Sequence, residues 1–295
     1  MKHVSTGIVV LALSVWMWSQ TPAAQPSGQA GGAQQGATAP AASETTSPPT
    51  KRPPQAKTQA EYDAYKAVMA DAKDPATMEK AADDFATKFP DSELRVLLYS
   101  AVMQGYQNTN NADKMMEAGR KVLTLNPDDP VALTGVAQVL AERTQDTDLD
   151  KDQRYAEATK LAQHALESID TVVIPAGTPQ DKIDSYKGFL RSNAYYVLGT
   201  VEYNQGKYPQ AETDLRKSID AFPSQPDPLV VLRLALSLDK QEKYPEALKV
   251  ANQAVQLTQE NTTLGTYARN ERDRLTQLTG GNAASTTQQN PPPKN

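Results

Sequence analysis

The feature that most constrains this chain is a recurrence of helical segments in pairs, each pair closed by a proline turn. The turns are Phe89-Pro90-Asp91, Asn126-Pro127-Asp128-Asp129-Pro130 and Phe222-Pro223-Ser224-Gln225-Pro226. Proline lacks an N–H and disfavours the helical region for the residue before it, so each cluster ends a helix. Between them, apolar residues follow the helical period almost continuously from about 59 to 279. Thr171-Val172-Val173-Ile174-Pro175 is the one β-like run, and it lies in a connection ended by Pro175 and Gly177. A helix is predicted to start at Thr178-Pro179-Gln180-Asp181, with threonine as cap and proline at the first helical position, and to run to about Gln205 before Gly206. A short helix pair cannot bury its apolar side alone, so such pairs must stack on one another.

The clearest unit runs from Ser192 to Pro223 and contains Tyr195, Leu198, Gly199, Tyr203, Gly206, Tyr208, Ala211 and Leu215. The next starts at Pro228 and places Val231, Leu234, Ala235, Leu238, Tyr244, Ala247, Ala251 and Ala254 in the same phases. Upstream, a unit near Val96 carries Tyr99, Val102, Met103, Tyr106, Met115, Gly119 and Val122. One near Asp128 carries Val131, Gly135, Ala158, Ala162 and Ala165, and a loose one near Tyr62 carries Tyr65, Val68, Met69, Ala81 and Phe85. Small residues such as Gly199 and Ala211 let helices approach closely, while Tyr195, Leu198 and Leu215 fill the gaps. The pattern Leu198-Gly199…Gln205-Gly206-Lys207-Tyr208…Ala211 resembles the tetratricopeptide repeat, a helix–turn–helix unit of about 34 residues. Glu202 departs from it where the family often has tyrosine, and Tyr203 stands beside it. The resemblance implies an all-α, right-handed helical solenoid of about five repeats over 59–279, closed by a polar capping helix from about Leu264 to Leu278.

The two ends read differently. Lys2 and His3 precede an apolar run from Thr6 to Trp18, too short for the roughly 20 residues of a membrane span. Residues 1–24 are therefore expected to be a secretory signal, either cleaved near Ala23-Ala24 or kept as an anchor that tethers the chain to the inner membrane. Residues 25–58, rich in Ala, Gln, Pro, Ser and Thr, are expected to form a disordered linker, and 280–295 a disordered tail. An exported chain of this kind is expected in the periplasm or outside the cell. With no cysteine it can form neither disulfides nor thiolate metal sites. A formal net charge of −5 argues against a nucleic-acid binder, which needs a basic stripe to displace counterions.

No residue pattern carries catalysis, and no catalytic residue, cofactor or metal site is predicted. His164, the one histidine beyond the first segment, sits on an amphipathic helix without an oriented partner in the sequence. Gly-rich phosphate loops and HExxH or GxSxG motifs are absent. An insertion from Gln145 to Arg154 holds Asp146, Asp148, Asp150 and Asp152, followed by Glu157. Those offsets are those of an EF-hand calcium loop, but Lys151 stands where the sharp turn requires glycine. The competing reading is a solvated acidic loop with a helix starting near Asp152.

What remains is binding. In tetratricopeptide arrays the first helix of each unit lines a concave groove that takes a peptide or a partner's surface, and the resemblance implies that use here. The groove row would then be Asn193, Tyr196, Thr200, Tyr203 and Asn204, spaced i, i+3, i+7, i+10 and i+11 on one helical face, with Arg233 of the next unit as a charged contact. Tyr195 and Leu198 would face the core. Some family members clamp a C-terminal carboxylate with polar residues; here those positions include Ala132, Val136, Leu232 and Leu236, which are apolar. The expected function is a non-enzymatic scaffold of the cell envelope holding a protein or peptide, and the alternative is a module that self-assembles into homo-oligomers.

Overall fold

The computed structural model describes residues 52–71, 74–175 and 177–286, with side chains to residue 280. The apolar run at 6–18, the expected cleavage site, the linker up to residue 51 and the tail beyond 286 lie outside the described residues.

The described residues form eleven α-helices and no strand. They are α1 (Gln59–Asp71), α2 (Pro75–Lys88), α3 (Arg95–Asn108), α4 (Ala112–Leu125), α5 (Pro130–Arg143), α6 (Lys151–Ser168), α7 (Gln180–Asn204), α8 (Tyr208–Ala221), α9 (Pro228–Asp239), α10 (Tyr244–Leu257) and α11 (Thr263–Thr286). The β-like run Thr171–Pro175 ends a short 3-10 turn and continues as irregular chain.

Three helix starts are fixed by aspartate followed by proline. Asp74 accepts from the Ala76 and Thr77 amides at 3.0 and 2.9 Å. Asp129 does the same for Val131 and Ala132 at 3.1 and 3.0 Å, and Asp227 for Leu229 at 2.8 Å. Each cap satisfies backbone donors that the first turn leaves open, and each contributes about 1 kcal/mol. The expected Thr178 cap does not form: α7 starts after Pro179, and the Thr178 hydroxyl donates back to the Pro175 carbonyl at 2.7 Å. The turns inside three pairs share one device, a residue in the left-handed region at Asn110 (φ 55°), Gly206 (φ 74°) and Glu242 (φ 60°).

Successive helices pack against one another in order, and contacts that skip a helix join α1 to α3, α5 to α7, α7 to α9 and α9 to α11. The odd-numbered helices therefore form one layer, more closely spaced than the even-numbered one, and this is the inner side of the stack. Small residues set the spacing. Gly199 is buried where an added Cβ would lie 2.7 Å from Leu215 Cγ and 3.2 Å from the Ala211 carbonyl oxygen. Ala158, Ala162 and Ala165 along α6, and Ala247, Ala251 and Ala254 along α10, are fully buried. The core runs through the array as overlapping clusters, from Phe85 and Leu98 through Val136 and Val197 to Leu238 and Leu275.

Both boundaries of the array differ from those read in the sequence. Residues 52–58, expected in the linker, lie against the first two pairs. The Arg52 guanidinium bonds both oxygens of Glu93 at 2.8 and 2.6 Å, and the Gln55 amide donates to Glu93 at 3.1 Å. The Lys57 amide donates to Glu61 at 2.7 Å; Glu61 is buried and also takes the Ser92 hydroxyl. Ala56 packs on the apolar core beside them. At the other end α11 runs to Thr286, past the expected end at 279.

Candidate functional site

The inner layer carries the residues expected to bind a partner, and the structure divides them. Tyr196, Thr200 and Arg233 meet. The Tyr196 hydroxyl donates to Glu142 Oε1 of α5 at 2.8 Å and accepts from Arg233 Nη1 of α9 at 3.3 Å. The Arg233 guanidinium also bonds the Thr200 hydroxyl and lies over the Tyr196 ring, 5.4 Å from its centroid. Gln138, one turn before Glu142, donates its amide to the same Oε1 at 3.0 Å. Asn204 donates to the Ala141 carbonyl at 2.9 Å. These bonds tie three inner helices together.

The expectation of an open groove row is corrected in part. Tyr196 is 6% exposed and Thr200 not at all, so neither offers a free face to a ligand. Burial and the Glu142 carboxylate push the Tyr196 phenol far above its ordinary range, so it stays a neutral donor. Tyr203 packs against the core, its ring 5.5 Å from that of Tyr208. Asn193 is half-buried, Asn204 exposed and Arg233 half-buried. Tyr195, expected in the core, is itself half-buried, with the Lys217 ammonium 5.3 Å from its ring centroid. A helix of the inner layer is covered by its paired helix and by the inner helices on either side, so a larger arc of it is buried than one apolar stripe predicts. The positions compared with a carboxylate clamp are packing positions: Ala132, Val136 and Leu232 are buried and Leu236 leans on the core.

Beside Glu142 the inner layer carries a small cleft open to solvent. Its lining comes from the end of α3 (Tyr106, Gln107), the turn at Asn110, the start of α4 (Ala112, Met115) and the end of α5 (Gln138, Val139, Glu142). Ala112, Met115, Val139 and the Tyr106 ring are buried and make an apolar floor. Gln107 and Asn110 are exposed at the rim. The Tyr106 hydroxyl points away, donating to Glu79 at 2.7 Å. Sequence reading passed over Glu142 and Gln138, although their i, i+4 spacing placed them on one face of α5.

Other sites resolve as structure. His164 Nε2 lies 2.9 Å from Asp128, which joins α6 to the turn before α5. In the acidic insertion, Asp150 takes Arg154 at 2.9 Å, Asp146 lies 3.8 Å from Lys151, and Asp148 accepts the Gln145 amide at 2.9 Å. Helix α6 begins at Lys151 behind it. Among the described residues no group of three or more His, Cys, Asp or Glu is arranged to hold a metal ion. Nor is any helix among them long and apolar enough to cross a membrane. Glu202 stands apart: its Oε2 is buried without a hydrogen bond, and burial together with the nearby Asp214 raises its pKa to about 7.

An array of helix pairs stacked in sequence, with one row of helices drawn close, belongs to the helical-repeat solenoids. Residues 192–221 match the family model of the tetratricopeptide repeat. The chain therefore carries a tetratricopeptide repeat within its array of helix pairs. No curated protein matches the sequence. Among solved structures it is similar to a thermophilic tetratricopeptide-repeat protein of Thermus thermophilus, at 12% identity over 72% of this chain and 98% of that one, with a TM-score of 0.45. It is also similar to PilW, a widely conserved type IV pilus biogenesis factor, at 18% identity over 76% and 95% of the two chains, with a TM-score of 0.44.

Proposed function

We propose that this chain is a non-enzymatic scaffold of the cell envelope that holds a protein or peptide along its inner helical layer. The observation that carries the reading is the cleft between α3, α4 and α5, an apolar floor with a rim of Gln107, Asn110, Gln138 and Glu142. Amides at the rim suit the backbone of an extended peptide, and the floor suits one of its side chains. Asn193 and Asn204 of α7 continue the polar surface on the same layer. The apolar run at 6–18, behind Lys2 and His3, supports export to the periplasm or beyond, with the segment either cleaved or kept as a tether.

Photocrosslinking in the native envelope tests this. A photoreactive residue at Gln107 or Asn193 should give discrete adducts with another protein, while one at the exposed Lys160 of α6 should give none. Adducts at Lys160 alone would move binding to the outer layer. Adducts between two copies, with a mass that grows with concentration, would replace partner binding by self-assembly.

A further inference from the structure

The cleft between the ends of α3 and α5 has a charge as well as a shape. Glu142 receives both of its hydrogen bonds, from Tyr196 and Gln138, on Oε1. Those two donors fix the carboxylate plane while Oε2 takes part in neither bond. Helices α3 and α5 both end at the cleft, and the carbonyl ends of two helices add partial negative charge; one helix start, that of α4, opposes them. The nearby cations are engaged elsewhere. Lys114 bonds Glu117 at 2.8 Å and lies 3.5 Å from Glu79, and Arg143 lies 3.8 Å from Asp113. Arg233 spends its guanidinium on Thr200 and Tyr196.

We infer that this cleft receives a basic side chain, the guanidinium or ammonium of an arginine or lysine in a bound peptide, with its charge on Glu142 and its aliphatic stem on Met115, Val139 and the Tyr106 ring. The inference rests on the inner-layer reading of function and adds the residue class the layer selects. A carboxylate held in place by two donors spends no further ordering when the cation arrives, and the apolar floor covers a stem that arginine and lysine both possess. An acidic or amide side chain would meet Glu142 with like charge or without a charge partner, so the same geometry rejects it.

The test uses the folded chain and a defined probe, Nα-acetylarginine methylamide, followed by the methyl NMR signals of Met115, Val139 and Ala112. A saturable shift of these signals is expected, with millimolar affinity for so small a contact. The uncharged citrulline analogue should bind at least tenfold more weakly. Glu142→Gln keeps an acceptor for Tyr196 and should abolish the preference for arginine over citrulline. Gln107→Trp, at an exposed rim position, should cover the mouth and weaken both probes while the melt is unchanged. Absence of a saturable shift, equal binding of arginine and citrulline, or an arginine preference that survives Glu142→Gln would each overturn the inference. Adducts at Gln107 in the envelope without arginine binding would overturn it alone. Arginine binding without adducts would leave the cleft its cation and remove the partner-binding layer.

Discussion

Gly199 offers the sharpest test of the packing. Replacing it with alanine adds one methyl group where Leu215 Cγ lies 2.7 Å, Leu215 Cδ2 3.0 Å and the Ala211 carbonyl oxygen 3.2 Å from the new Cβ. Two of these atoms cannot swing aside. Cγ is the branch point of a side chain that is itself fully buried, and the carbonyl belongs to the backbone of α8. Relief therefore requires α7 and α8 to separate by several tenths of an ångström over a contact that runs the length of the pair. Overpacking of this kind costs about 1–3 kcal/mol. Helix propensity works the other way, since alanine is about 1 kcal/mol better than glycine inside a helix. The packing cost should win, and leucine at the same position should be worse than alanine. In an array of this size each kcal/mol lowers the melting temperature by about 2–4 °C. A double-mutant cycle isolates the cause: Gly199→Ala with Leu215→Ala should be less destabilised than the sum of the two single variants. Circular dichroism melts of the four proteins decide it. A Gly199→Ala variant that melts above the parent, or two effects that simply add, would refute the assigned contact.

Tyr196→Ala removes a buried ring and a hydroxyl bonded on both sides, so it should cost about 3–5 kcal/mol, as large aromatic truncations do. Tyr195→Ala should cost less, because that ring is half-buried; an equal or reversed order of urea midpoints would contradict the assigned faces. A chain beginning at residue 59 should melt lower than one beginning at 52, because Glu93 loses Arg52 and the Gln55 amide, and an unchanged melt would show that the contact stabilises nothing. Glu202 should make stability fall with pH: its folded pKa of about 7 lies above the ordinary carboxylate value of about 4.3, so the contribution is whole below pH 4 and is lost as pH rises through 7. Melts at pH 5 and pH 8 should differ in the parent and much less in Glu202→Gln, and an identical pH difference in both would remove Glu202 as its source.

The repeat framework was legible because its signals are local. Asp-Pro steps, proline turns and the Gly199/Leu215 pairing each act within a few residues or one helix pair. The inward face of α7 was harder to read, since Tyr195 and Tyr196 are neighbours and either can lead an apolar stripe at helical spacing. The decision fell to Glu142 and Arg233, which lie 54 and 37 residues from Tyr196. Residues 52–58 were misread for the same reason. Their composition is that of a linker, and nothing near them in the chain shows that Glu93 waits 41 residues away for Arg52. The cleft escaped notice because its walls come from the ends of three helices, where periodicity fades.

The bond from Arg233 through Tyr196 to Glu142 has a mechanical meaning. A stack of repeats is commonly a chain of nearest neighbours, in which each unit feels only the one before and the one after. Here one phenol joins the third, fourth and fifth pairs on the inner side of the curve, so the array is a spring with a latch across three of its coils. Drawing the coils apart must part both hydrogen bonds of that phenol as well as the packed surfaces beside it. The stretch from α5 to α9 should therefore be the stiffest, and a load applied at the two ends should be taken up first by the first two pairs.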